Sequence, residues 1–303
     1  MTENRLDPRL HAFRPDLADA TLSGQVTADR YTDGQNAQLI RTAPLRTSPA
    51  PDAMLMTEGI GGEMVQVFDV VDGWAWIQLH RDGYVGYAPA DALAQSFAFT
   101  SHFITAPTAL VFPQPDLKQP PIARVFLGTE VSLKGTQGDY VELMNGGFVH
   151  GRTVSPLGRF ADDFVSVAER FIGVPYLWGG KTAAGLDCSG LVQIACQAAD
   201  LPCPRDSDMQ MSSVGQSLGA SPPGPASLMR GDLLFWTGHV AILTDKDTLL
   251  HANAYHMEVV REPLMPAVER IAADTGPVTD VRRHMDHPEP AEAPLIGTMT
   301  GTG

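Results

Sequence analysis

The sequence is short of cysteine, short of positive charge and free of long apolar runs. Three cysteines among 303 residues are odd in number and too sparse for a disulfide framework. Lys and Arg number 21 against 35 Asp and Glu, a formal charge of −14. That balance excludes sequence-independent nucleic-acid binding, which needs a basic face. No stretch approaches the roughly 18 consecutive apolar residues of a membrane-spanning helix, so no membrane partner is expected. The polar start, Met1 to Pro8, lacks the apolar core of a secretory signal, and the expectation is a cytoplasmic protein. An apolar content of 44% suffices for the cores of two or three domains.

Residues 1–28 read as an amino-terminal arm lying against the body, with a disordered tail as the alternative. Short β segments follow. Met64-Val65-Gln66-Val67-Phe68 alternates, Asp72-Gly73 turns, Trp74-Ala75-Trp76-Ile77-Gln78-Leu79 alternates again, and Asp82-Gly83-Tyr84-Val85-Gly86-Tyr87 closes the unit. Period-2 apolarity with Asp-Gly punctuation signals hairpins, and several within a short span suggest a small barrel. The plan recurs in Gly128 to Leu133, Gly138 to Leu143 and Asn145 to Gly151, offset by roughly 65 residues, which points to tandem domains. The predicted units are 29–97 and 98–158.

From Phe160 the periodicity turns helical through Ile172, and Gly173 with Pro175 ends it. A second helix is predicted from Cys188 to Ala199, before Pro202. Strands are predicted over Asp232 to Trp236, His239 to Thr244, Thr248 to Ala252 and Glu258 to Glu262, then a helix over Ala267 to Ala273. This order reads as α+β across 159–285. Residues 286–303, rich in Pro, Glu, Gly and Thr, read as a disordered tail.

The chemistry gathers near Cys188. A thiol in the first turn of a helix faces free N–H groups and the positive dipole end, which lowers its pKa and offers donors to an oxyanion. Gly185 and Gly190 are expected to permit close substrate approach. His239 opens an apolar strand and can serve as base; His251, one strand later, can orient it. Cys196 reads as core, Cys203 as structural or surface, and Trp178 as packing. Arg205-Asp206-Ser207-Asp208 reads either as a helix start or as a polar contact surface.

The runs Tyr176-Leu-Trp-Gly-Gly, Gly185-Leu-Asp-Cys-Ser-Gly, Gly231-Asp-Leu-Leu-Phe-Trp, Gly238-His-Val-Ala-Ile and His251-Ala resemble the NlpC/P60 cysteine peptidases. The segment ahead resembles paired bacterial SH3 domains. The resemblance implies two small β-barrel SH3-like domains followed by an α+β papain-like domain, with Cys188, His239 and His251 as the catalytic triad. It implies hydrolysis of the γ-D-glutamyl-diamino acid bond in murein peptides carrying a free amino-terminal L-Ala, in cell-wall peptide recycling. Short murein peptides are thus the expected partner. By the same resemblance Tyr176, Asp187, Ser189, Arg205, Asp206 and Ser207 meet the substrate, Asp206 its ammonium, and Ser189 and Ser207 its α-carboxylate. Glu63 and Tyr84 are chosen as further ammonium ligands, with Glu58 and Tyr87 as substitutes. No cofactor or metal is implied. The competing readings are a non-catalytic wall-binding protein built on the SH3-like repeats and a zinc site at Cys188, His239 and His251.

Overall fold

A computed structural model of the chain describes residues 6–220 and 228–284. The segment expected to be a disordered tail lies outside the described residues. No helix among those described is long and apolar enough to cross a membrane.

The arm packs onto the β unit that follows it. Ala12 and Leu17 are buried with Phe68, Trp76 and Val85, the Val85 N–H donates to the Arg9 carbonyl at 2.8 Å, and the Arg14 guanidinium lies 4.6 Å over the Trp76 ring. The unit is a seven-stranded antiparallel sheet ordered 55–59, 43–46, 85–89, 74–79, 64–71, 35–39, 93–94. Its alternating residues Val65, Ala75, Ile77 and Leu79 face one core, as the period-2 pattern predicts. The expected barrel is not closed, however: no sheet among the described residues closes on itself. The physical reason lies at the free edge. Strand Leu55–Gly59 turns its far side to the third domain, where Glu58 Oε2 accepts from the Lys181 N–H at 2.8 Å and Thr57 Oγ1 accepts from Arg205 Nε at 2.9 Å.

The second β unit repeats part of the first. Strands Met64–Val71, Trp74–Leu79 and Val85–Pro89 form a meander that runs into the one-turn 3-10 helix Ala90–Ala92 and strand Leu93–Ala94. Strands Leu133–Gln137, Tyr140–Leu143 and Phe148–His150 do the same, ending in Gly151–Thr153 and Val154–Pro156. The second meander pairs in a smaller, three-stranded sheet. An ion pair from Arg81 to Glu130 at 2.6 Å joins the two units.

The third domain packs helices on a six-stranded antiparallel sheet ordered 216–219, 280–283, 233–236, 239–245, 248–253, 258–263. Helix α1 (Phe164–Glu169) starts later than the periodicity suggests, because Asp163 caps it by accepting from the N–H groups of Val165 and Ser166. Helix α2 (Cys188–Ala198) is buried from Cys188 through Cys196. Helix α3 (Ser207–Ser213) follows, and helix α4 (Leu264–Thr275) packs on the other sheet face with Leu264, Ala267 and Ile271 inward. Strands Gln216–Gly219 and Asp280–Arg283 were not expected. Asp280–Arg283 has a single apolar residue, Val281, and hides its charge pattern by pairing Arg283 Nε with buried Asp232 at 2.6 Å.

Arg205 joins the first and third domains. It is 1% exposed, and all five of its N–H donors are engaged. Nη1 and Nη2 clasp the two Asp187 oxygens at 2.9 and 2.7 Å, Nη1 also reaches Ser189 Oγ, Nη2 the Gly180 carbonyl, and Nε Thr57 Oγ1. Removing one partner of such a pair leaves the other buried and uncompensated. Arg205→Met is therefore expected to lower unfolding free energy by roughly 3–5 kcal/mol in denaturant titration; a change under about 1 kcal/mol would show that water reaches Asp187 freely.

Candidate active site

Cys188 opens α2 at the bottom of a cleft of about 300 Å³ lined by Arg9, Met54, Met56, Tyr84, Tyr176, Trp178, Asp187, Ser189, Asp206, Ser207, Asp208 and Gly238. A larger cavity of about 590 Å³ lies between the second β unit and α2, beside Phe103, Leu127 and Ile194. It contains neither Cys188 nor a histidine, so its size carries no chemical weight.

Asp187 fixes the helix start. It is the N-cap of α2, with Oδ1 accepting from the Gly190 N–H at 2.7 Å and Oδ2 from the Gly179 N–H at 2.8 Å. Cys188 and Ser189 occupy the first two helical positions, so their N–H groups have no acceptor within the helix and face the reaction centre. Gly190 is required for a reason other than substrate approach: a Cβ there would stand 2.2 Å from the Gly180 carbonyl oxygen. The helix and the Gly179–Gly180 turn touch backbone to backbone.

The expected drop in the Cys188 pKa is not found. Burial, aided by the Asp187 charge, pushes the thiol up to about 12, and the opposing Val240 and Ser189 N–H groups and Arg205 do not offset it. Burial likewise pushes His239 down to about 3. The cleft thus holds a neutral thiol and a neutral imidazole across the physiological range. The N–H of Val240, next to His239, lies against the sulfur and puts the thiol beside the start of strand His239–Asp245.

Three side chains in line set the tautomer of His239. His239 Nε2 is 2.8 Å from His251 Nδ1, and His251 Nε2 is 2.8 Å from Glu262 Oε1. Glu262 is held at a pKa of about 2 by hydrogen bonds from His251, His256 and Arg270. As a carboxylate it can only accept, so the neutral form of the His251 ring donates through Nε2 and accepts through Nδ1. His239 must then carry its proton on Nε2, leaving Nδ1 as the free base. His251 has both ring nitrogens in hydrogen bonds, which leaves neither for a metal.

The remaining candidates divide. Tyr176, Ser189, Asp206, Ser207 and Tyr84 line the cleft. Burial raises the Tyr176 phenol to about 12, so it stays a neutral donor. Asp187 reaches the cleft wall, but its oxygens are already taken by Gly190, Gly179 and Arg205. Arg205 does not face the cleft, as its full burial requires. Glu63 does not line the cleft either: at 3% exposure it accepts from the Ile60 N–H at 3.1 Å, with buried Lys181, Asp82 and the more exposed Arg81 as its charged neighbours. Glu58 holds Lys181 at the domain boundary, and Tyr87 hydrogen-bonds Arg14 on another face. Trp178, expected to be packing, is 60% exposed on the cleft rim. All three thiols are free and buried.

Two contributors escaped the sequence reading. Glu262 stands two residues beyond Val260, the cross-strand partner of His251, and diagonal neighbours on one sheet face touch; that register was the available signal. Arg9, in the arm, had none.

A 30% identity over 125 residues relates the chain to "Probable endopeptidase NlpC" of Escherichia coli, covering 37% of this chain and 77% of that protein. The NlpC/P60 family model matches residues 173–269, which contain Cys188, His239 and His251. The chain belongs to the NlpC/P60 family. Residues 45–93 match the model "Bacterial dipeptidyl-peptidase Sh3 domain". "Gamma-D-glutamyl-L-lysine dipeptidyl-peptidase" of Bacillus cereus is 26% identical over 242 residues, 69% of this chain and 71% of that protein. A crystal structure of a Bacillus cereus NlpC/P60 family protein shares the fold at TM-score 0.66 and 22% identity, over 84% of this chain and all of the other.

Two outcomes check this geometry. Because the thiol and imidazole are both neutral, alkylation of Cys188 by iodoacetamide should climb about tenfold per pH unit from about pH 6 to about pH 9; a plateau starting below neutrality would reveal a thiolate–imidazolium pair instead. Glu262→Gln frees the His251 tautomer and should slow kcat by less than the roughly 10²–10⁴-fold associated with loss of a general base, yet measurably, with circular dichroism unchanged. Wild-type turnover in Glu262→Gln would remove Glu262 from the relay.

Proposed function

We propose that the protein is a cysteine endopeptidase that hydrolyses the γ-D-glutamyl-diamino acid bond of short murein peptides bearing a free amino-terminal L-Ala. The single observation that carries this reading is one cleft lined by Cys188, Tyr84 and Asp206, its thiol met by the N–H of Val240 next to His239, the residue that begins the His239–His251–Glu262 line. Kinship with an NlpC/P60 relative named for γ-D-glutamyl-L-lysine dipeptidyl-peptidase activity supports the substrate class.

In this mechanism the Cys188 sulfur attacks the γ-glutamyl carbonyl carbon as its proton moves to His239 Nδ1. The S–C bond forms, and the carbonyl electrons collect on an oxygen facing the N–H groups at the α2 start. The imidazolium is stabilised through His251 by the Glu262 charge. His239 then protonates the departing amine as the C–N bond breaks, leaving a thioester on Cys188. Water, deprotonated by His239, hydrolyses it and restores the neutral pair. Asp206 faces the ammonium of L-Ala, and Ser189 and Ser207 hydrogen-bond the glutamyl α-carboxylate.

An amino-terminal requirement fits cleavage after release of the stem peptide from the sugar, since the lactyl link blocks that alanine in intact wall. We therefore place the reaction in cytoplasmic recycling of released peptides. The β unit at 98–158 is proposed as a second SH3-like domain, supported by its repeated meander, 3-10 turn and strand.

Mass spectrometry of L-Ala-γ-D-Glu-diaminopimelate incubated with the protein tests the reading. Dipeptide should form, and Cys188→Ala should abolish it by on the order of a thousandfold or more while remaining folded. Activity within tenfold of wild type in Cys188→Ala would overturn the assignment. The amino-terminally acetylated peptide should be cleaved on the order of a hundredfold less efficiently, because it leaves the Asp206 charge without its ammonium.

A further inference from the structure

Asp206 is the N-cap residue of α3, yet its side chain makes no cap hydrogen bond. Aspartate at that position ordinarily accepts from its own helix. Here Oδ2 is drawn across the cleft instead, accepting from Tyr84 Oη at 2.8 Å and from Arg9 Nη1 at 2.8 Å. Among the described residues, Oδ1 of Asp206 has no hydrogen-bond partner.

Arg9 is itself rigidly held. Its carbonyl accepts the Val85 N–H in the sheet, and the arm just after it is packed by Leu10 and Ala12. Every guanidinium N–H is engaged: Nε and Nη2 on Asp7, Nη1 on Asp206 and Asp208, and Nη2 again on Asp208 at 2.8 Å. Three carboxylates against one guanidinium leave the cluster net negative, so it still attracts a cation. A planar fork bound this way fixes geometry where a lysine would supply only a point charge.

We propose that Arg9 is a positioning residue that, together with Tyr84, pulls the Asp206 carboxylate off its helix cap and presents Oδ1 to the substrate's amino-terminal ammonium. The amino-terminal arm then forms part of the specificity site. This rests on the peptide reading above, and it adds the residue that makes Asp206 available. Without Arg9, Asp206 relaxes toward the free N–H groups of α3 and away from the cleft.

The test measures KM and kcat for L-Ala-γ-D-Glu-diaminopimelate in Arg9→Met, Asp206→Asn and the double variant of the full chain. Arg9→Met should raise KM on the order of tenfold with kcat within about twofold, and should add less than about twofold to KM in the Asp206→Asn background. A merely structural arm would raise KM in both backgrounds alike, which overturns the proposal, as does an unchanged or lowered KM in Arg9→Met. Should Arg9→Met fail to fold, Arg9→Lys decides by the same pair of measurements. Equal wild-type cleavage of free and acetylated peptide overturns the ammonium site and Arg9's role with it. Wild-type discrimination alongside an unmoved KM in the Arg9 variants overturns Arg9 alone.

Discussion

The Asp187–Arg205 pair is the constraint on which the rest of the cleft depends. One carboxylate caps the Cys188 helix, receives the Gly179 N–H and takes both arms of a buried guanidinium. That guanidinium reaches Thr57 in the neighbouring domain. The position of the thiol, the turn that carries Tyr176 and Trp178, and the edge of the first β unit are thereby set by a single network. Buried pairs of this kind add little net stability over an apolar replacement, while breaking one is costly. The effect here is geometric: Arg205 links the helix start to the domain that supplies Tyr84.

The same burial that makes this network strong explains the resting state of the chemistry. Burial disfavours charge on Cys188 and on His239 alike, and the helix-start donors do not reverse it. In the proposed mechanism charge appears only as reaction proceeds, when the sulfur proton reaches His239 and the oxyanion meets the N–H groups of the α2 start. Glu262, held ionised by three basic partners, sets the ring tautomers beforehand, so no reorganisation is needed at that moment.

Much of this was legible in the sequence. Cys188 at a helix start, and His239 and His251 at comparable points of adjacent strands, follow from short motifs and period-2 patterning, whereas Asp206 and Tyr84 are implied only by the family resemblance. The failures have physical causes. The family resemblance implies substrate contact for Glu63 and Arg205, but their burial against Lys181 and Asp187 is set by tertiary packing that no local motif carries. Strand Asp280–Arg283 escaped because its charges are neutralised by Asp232 from another strand. The barrel did not close because an edge strand docks on Lys181 and Arg205, residues more than a hundred positions away. Arg9 was invisible because an arm's docking site is a property of the assembled sheet.

The central claim is that catalysis passes through a thioester on Cys188, and direct detection of that species tests it most sharply. The protein is mixed with L-Ala-γ-D-Glu-diaminopimelate, quenched in acid within the first turnover, digested and analysed by mass spectrometry. The account predicts an alanyl-glutamyl acyl group on the peptide containing Cys188, lost on treatment with hydroxylamine. Dipeptide release with no acyl group on Cys188 at any quench time, together with inhibition by a chelator, would contradict it.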